Sequence, residues 1–280
     1  MRGGNLRRPV ALTVAGSDPG GGAGIQADLK TFAALGVYGY SALTEVIAQN
    51  SAKVWSVAAV APSMVRAQLE AVVAERKPDA LKTGALGAAG VVKALARAIG
   101  ELGLPAPVVD PVMLSSSGTR LLERRAEKAL REELIPLARL VTPNVPEAEA
   151  LSGIRIAGLG EAREAAARIV GLGARAVVIK GGHLAHDSRA IDLFHDGRRF
   201  IELAAPRLKI GDAHGTGCAF SAAVAAYLAR GMELETAVRS AKRFVLAALK
   251  RSFRFGRGRP LLDHFALPAG QRLSPVPRRR

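Results

Sequence analysis

The run His214, Gly215, Thr216, Gly217, Cys218 leads straight into an apolar, alanine-rich stretch, and its residue types match the chemistry of anion binding. Two glycines ahead of a helix expose consecutive backbone N–H groups, and the helix dipole adds partial positive charge, so such a turn holds an anion without a lysine. That suits the charge that develops on a migrating phosphoryl group, where catalysis is mostly positioning and electrostatics. Cys218, in the first turn of that helix, is expected to have a lowered pKa and to be able to act as a base. Simple burial on a helix face is the competing account of the same thiol.

Other segments add groups of complementary character. Residues 15–24 form a glycine-rich turn that lets backbone approach a ligand closely, or else a flexible connection, and match neither of the two common nucleotide-binding glycine motifs. Asn144 and Glu147, three apart as a helix begins, place an amide oxygen and a carboxylate on one side. This is what a Mg²⁺ site shared with phosphate requires, and equally what an N-cap with a first-turn acid provides; spacing alone does not decide. Asp110 and Lys180 each end an apolar run, either as site residues or as charges reaching solvent. His183 and His186 lack a zinc-like spacing with the single cysteine, and His186 reads as loop surface. A nucleophile-elbow hydrolase is unsupported, because no Gly-x-Ser-x-Gly is present.

The elements that must position these groups follow from periodicity. Apolar runs at 10–16, 80–83, 107–110, 140–142 and 176–179 alternate with helical patterns at 23–35, 63–75, 87–102, 123–134 and 161–172. Strands apolar throughout, alternating with helices, predict a mainly parallel, doubly wound sheet buried on both faces. Extended segments at 38–47 and 54–60 join it, 190–195 and 200–203 read as an antiparallel edge hairpin, and helices at 215–230 and 234–249 close the chain.

The bulk properties bound the answer. At 280 residues and 49% hydrophobic, the chain is large enough for one α/β domain. We expect a basic extension at 1–9, a single domain at 10–266 and a flexible basic tail at 267–280. No apolar run approaches the ~20 residues of a membrane span and 1–9 does not read as a signal peptide, so the expected location is cytoplasmic. The net charge is +16, and residues 250–280 carry nine Lys or Arg against one acid, Asp263, leaving +8. Without interleaved aromatics that tail reads as solvated rather than as a nucleic-acid surface.

Taken together, the segments 15–19, 21–32, 48–50, 82–86, 110–113, 142–147, 180–183 and 214–218 resemble, in order, the hydroxymethylpyrimidine kinase / phosphomethylpyrimidine kinase family of thiamine biosynthesis, of the ribokinase-like superfamily. The resemblance implies a three-layer α/β/α fold, Mg²⁺ and ATP, and two successive phosphorylations of 4-amino-5-hydroxymethyl-2-methylpyrimidine. It implies that Asp28 and Gln49 bind the pyrimidine's polar edge, with Gly16, Ala23 and Val112 shaping its pocket. Gly215, Thr216, Gly217 and Cys218 become the anion hole and catalytic group; Asn144, Lys180 and Gly215 serve ATP; Asp110, Asn144 and Glu147 serve the metal. A homodimer is expected by analogy with the superfamily.

The chain departs from the family pattern at three places: Ser116 stands where a loop lysine is usual, Ala213 where threonine is usual, and Glu45 where alanine or leucine is usual. Glu45 could alter a pocket wall or an interface. A base at Cys218 would matter for the neutral hydroxyl of the first step more than for the already ionised phosphomonoester of the second, so Cys218→Ala is expected to slow the first step more. A vitamin B6 kinase, acting on a similar flat ring with a hydroxymethyl group, and a noncatalytic pyrimidine-binding regulatory protein are the alternatives.

Overall fold

The computed structural model describes residues 8–182, 189–256 and 258–267, so the expectations for His183, His186 and most of both basic ends lie outside the described residues. The first half contains β1 (Val10–Ser17), α1 (Gly24–Ala34), β2 (Tyr38–Gln49), β3 (Val54–Ala59), α2 (Pro62–Glu75), β4 (Ala80–Thr83), α3 (Ala89–Glu101) and β5 (Val108–Val109). There follow α4 (Arg124–Ala129), β6 (Leu140–Val141), α5 (Val145–Ser152), α6 (Leu159–Gly171), β7 (Val177–Ile179), β8 (Arg189–His195) and β9 (Phe200–Pro206). The described chain ends on the helices α7 (Thr216–Ala229) and α8 (Leu234–Lys250).

The strands form one nine-stranded sheet in the order β3-β2-β1-β4-β5-β6-β7-β8-β9. Strands β2, β1, β4, β5, β6 and β7 run parallel, and β8 and β9 add the expected antiparallel hairpin. The other edge holds a finding that the sequence did not disclose: β3 pairs antiparallel with β2 and is largely exposed. The expected helix at 123–134 also ends early. Beyond α4 it widens into a π turn at Leu130–Leu134 and tightens at Ile135–Leu137. Pro136, which cannot donate to a preceding carbonyl, ends regular helix there.

Period-two alternation along the strands separates two cores. Leu12, Leu81, Val109, Val141 and Val177 pack with α2, α3, α4, α5 and α6 on one face. Ala11, Ala80, Val108, Leu140 and Val178 pack with α1, α7 and α8 on the other. Two residues further along the second set come Thr13, Lys82, Asp110, Thr142 and Lys180. These five polar side chains therefore share the face that carries α1 and α7, at the carboxyl ends of the strands. The sheet's own register delivers them together beneath the start of α7.

Candidate active site

The glycine turn after β1 is organised by Asp18. Its Oδ2 accepts from the backbone N–H of Gly22 (3.1 Å) and Ala23 (2.8 Å), and its Oδ1 from that of Gly20 (3.0 Å). His214 Nε2 lies 2.9 Å from the same Oδ2, and His214 Nδ1 lies 3.1 Å from Ser116 Oγ. In the neutral ring the Nε2–H donates to the carboxylate and Nδ1 accepts a hydrogen bond from the Ser116 hydroxyl. Burial alone would raise the Asp18 carboxyl, but the His214 ring and the turn's N–H groups outweigh it and hold the carboxyl below its usual range. One side chain thus ties the first glycine turn, the start of α7 and the loop at 115–120 into a single frame.

That frame needs glycine where the turns meet. Gly215 has φ +81°, and a Cβ there would lie 1.7 Å from the carbonyl oxygen of Gly22. Gly217, two residues later, faces Lys180 Nζ and Asp110 Oδ2 with no side chain between. The N–H groups that open α7 accordingly look into a cavity of about 1020 Å³.

Two lysine–aspartate pairs stand below those amides. Lys82 Nζ donates to Asp28 Oδ2 at 2.7 Å, and Thr13 Oγ1 donates to the same oxygen at 2.6 Å; both charged side chains are fully buried. Burial alone would lower the Lys82 ammonium, and the Asp28, Cys218 and Asp110 charges reverse that and raise it. The second pair, Lys180 Nζ to Asp110 Oδ1 at 2.9 Å, opens onto the cavity, and Asp110 is further held by Thr142 Oγ1 and Ser221 Oγ, each at 3.3 Å. Lys180 shows the same balance as Lys82: desolvation against it, then Asp110 and Glu147 in its favour, with a net rise.

Among the residues expected at the site, Gly16, Ala23, Gln49, Asp110, Val112, Asn144, Glu147, Lys180 and 215–218 all line the one cavity. Asp28 does not reach its wall. It lies beneath Lys82, with Oδ1 left without a partner among the described residues, and burial, ahead of the Lys82 charge, raises its carboxyl.

The structure overturns one expectation directly. The Cys218 thiol is not depressed but pushed up to about 11, first because it is taken out of water and then because the Asp110 and Asp28 carboxylates oppose a thiolate, with Lys82 offsetting only part. Helix position alone pointed the other way; the two buried acids were invisible to that argument.

Asn144 and Glu147 form a complete capping box, the Asn144 side chain accepting from Glu147 N–H and the Glu147 side chain from Asn144 N–H, each at 2.8 Å. Burial raises the Glu147 carboxyl to about 7, Lys180 lowering it and Asp110 raising it in turn. Among the described residues no group of three or more His, Cys, Asp or Glu could hold a metal ion unaided. Magnesium brought in by phosphates needs only one or two protein carboxylates, and Asp110 and Glu147 supply them on the cavity wall, so the residues fit such an ion.

Sheet order divides the cavity's wall into two lobes: Gly16, Ala23, Ile47, Gln49, Ala85 and Val112 come from the β2, β1, β4 and β5 side, and Ala190, Ala205, Ile210, Val245, Leu246 and Leu249 from β8, β9, the segment after β9, and α8. A profile of the phosphomethylpyrimidine kinase family matches residues 18–263 of this chain. The chain belongs to that family.

Its fold is ribokinase-like, and the family is one of phosphotransferases. The chain is 44% identical over 256 residues to the hydroxymethylpyrimidine/phosphomethylpyrimidine kinase of Bacillus subtilis, covering 91% of this chain and 94% of that protein. It is 47% identical over 258 residues to the thiamine biosynthesis bifunctional protein ThiED of Geobacter sulfurreducens, where the match covers 92% of this chain but spans 52% of the longer relative. The ADP complex of Bacillus subtilis pyridoxal kinase superposes with a TM-score of 0.85 at 40% identity, covering 92% of this chain and 98% of that one. The second lobe, Lys82 and the Asp18 hub were missed as site residues from the sequence, although Asp18 and Lys82 stand inside the motifs that carried the family resemblance.

Proposed function

We propose that this chain transfers the γ-phosphoryl group of ATP to the hydroxymethyl oxygen of 4-amino-5-hydroxymethyl-2-methylpyrimidine and then phosphorylates the monophosphate to the diphosphate. The observation that carries the reading is a single cavity with a lobe on each side of the same helix start, so that donor and acceptor meet over its amides. The apolar lobe of Val245, Leu246 and Leu249 suits a flat purine; the lobe of Gly16, Ile47, Gln49 and Val112 suits a small polar-edged ring.

In this reading the N–H groups of 215–218 take up charge on the migrating phosphoryl, and Lys180 leaves Asp110 to meet it. Gly215 and Gly217 keep Cβ atoms out of the phosphate's path, Thr216 sits at the first position of α7, and Gln49 holds the ring edge. Asp110 and Glu147 would hold Mg²⁺, which supplies charge neutralisation on the phosphates. Asn144 acts as the cap that fixes Glu147. With its pKa pushed up to about 11, the Cys218 thiol meets the acceptor oxygen as a protonated, positioning group at neutral pH. A loose phosphoryl transition state tolerates this, because the acceptor proton leaves late.

Residues 10–266 are read as one catalytic unit between the basic ends, acting in the cytoplasm; no helix among the described residues is long and apolar enough to cross a membrane. A homodimer joined through the β2–β3 edge is supported by exposed Tyr38, Val46, Trp55 and Val57.

ATP turnover in the presence of the pyrimidine tests the function. Formation of both phosphates supports it; ligand binding without turnover would make the chain a noncatalytic binder. A second reading, pyridoxal phosphorylation, is favoured by the similarity to the pyridoxal kinase fold. Parallel kinetics on the two alcohols separate them.

A further inference from the structure

Strand β2 turns Glu45, Ile47 and Gln49 to one face while Val46 and Ala48 point to solvent. Ile47 and Gln49 line the acceptor lobe. Glu45 is the next residue of the same row, one step deeper along the sheet. Its side chain is 3% exposed, and its Oε2 has no hydrogen-bond partner among the described residues.

The neighbours make room for it by being bare. A Cβ on Gly16 would come within 3.5 Å of Oε2, and a Cβ on Gly87 would collide with Oε1. Gly16 lines the cavity and Glu45 does not, so the carboxyl stands one layer behind the floor of the acceptor lobe, parted from it by a residue with no side chain. An idle carboxyl oxygen in such a place costs free energy until a donor reaches it. Ile47 and the two glycines have no side chain that could supply one.

We propose that Glu45 is a specificity-determining residue of the acceptor lobe, whose carboxyl, turned past the bare Gly16, hydrogen-bonds the amino-substituted edge of a nitrogen heterocycle. The inference rests on the aminopyrimidine reading above and deepens it. An exocyclic amine donates to a carboxyl oxygen, and the adjacent ring nitrogen accepts the carboxyl proton when one is present. An aldehyde in the same place offers only lone pairs to a carboxylate, and a site built to pair a donor rejects an analogue that lacks it.

The test is kcat/KM on the aminopyrimidine alcohol and on pyridoxal for the unaltered chain, Glu45→Leu, Glu45→Ala and Glu45→Gln, with thermal melting of each. Leucine and alanine should lower the pyrimidine-to-pyridoxal ratio at least about tenfold, through KM for the pyrimidine, with kcat held within about threefold. Glutamine, which presents one acceptor and one donor, should keep most of the ratio. A merely structural role would depress both alcohols together. An unchanged ratio in the leucine and alanine variants of a pyrimidine-active protein overturns the assignment of Glu45 alone. Absence of pyrimidine turnover by the unaltered chain overturns the acceptor reading on which it stands.

Discussion

Lys82 and Asp28 are both closed to solvent, whereas Lys180, paired with Asp110 at nearly the same separation, keeps 17% of its side chain exposed on the cavity. Lys82, Asp110 and Lys180 each stand two residues beyond a core position of β4, β5 and β7, Asp28 comes from α1, and both pairs lie under α7. The difference is access. A buried pair cannot exchange partners without stranding a charge, so Lys82 and Asp28 act as fixed scaffold. Lys82 also lines the cavity, but its acid lies beneath it; where both partners line the wall, as Lys180 and Asp110 do, the cation can pass to an incoming anion while the acid stays for a metal. Burial, rather than residue type, separates structure from chemistry here.

That contrast can be broken or sharpened by substitution. Lys82→Met strands Asp28 and should cost about 3–5 kcal/mol of stability in chemical denaturation, much of it recovered when Asp28→Leu removes the partner as well. Lys180→Met should leave the melting temperature nearly unchanged while lowering kcat about 10²–10³-fold, and removing Asp110 as well should restore nothing. A rescue of activity at the Lys180 pair, or none of stability at the Lys82 pair, would erase the distinction.

Cys218→Ala should cost about tenfold or less, and equally on both acceptors, because a thiol held near 11 is no base at neutral pH. Thiolate absorbance against pH checks the premise: a midpoint near 11 agrees, and a midpoint below 8 would restore the base and its preference for the first step. The smallest effect is Asn144→Ala, which should lower stability by about 1 kcal/mol through loss of the cap, measured by thermal melting.

Much of this was legible in the sequence. Apolar strands such as 80–83 and 176–179 announced a sheet covered on both faces, and the two glycines after His214 announced the turn that opens α7. Eight ordered segments sufficed to place the chain in its family. What stayed hidden depended on contacts across the fold. The raised Cys218 thiol comes first from its desolvation in the folded chain and then from Asp110 and Asp28, 108 and 190 residues away. The capping box of Asn144 and Glu147 showed only once both hydrogen bonds were seen, while Glu147 keeps its place on the cavity wall with Asp110. The antiparallel pairing of β3 leaves no mark in residues that are mostly exposed. The second lobe is assembled from β8, β9 and α8, none of which carries a motif.

The most direct measurement is a crystal structure of the chain with ADP, aluminium fluoride as the phosphoryl mimic, and the aminopyrimidine alcohol. The account predicts the fluoride against the N–H groups that open α7, Lys180 Nζ turned from Asp110 onto it, and Lys82 still on Asp28. Fluoride bound elsewhere, or Lys180 unmoved on Asp110 while Lys82 has left its partner, would contradict it.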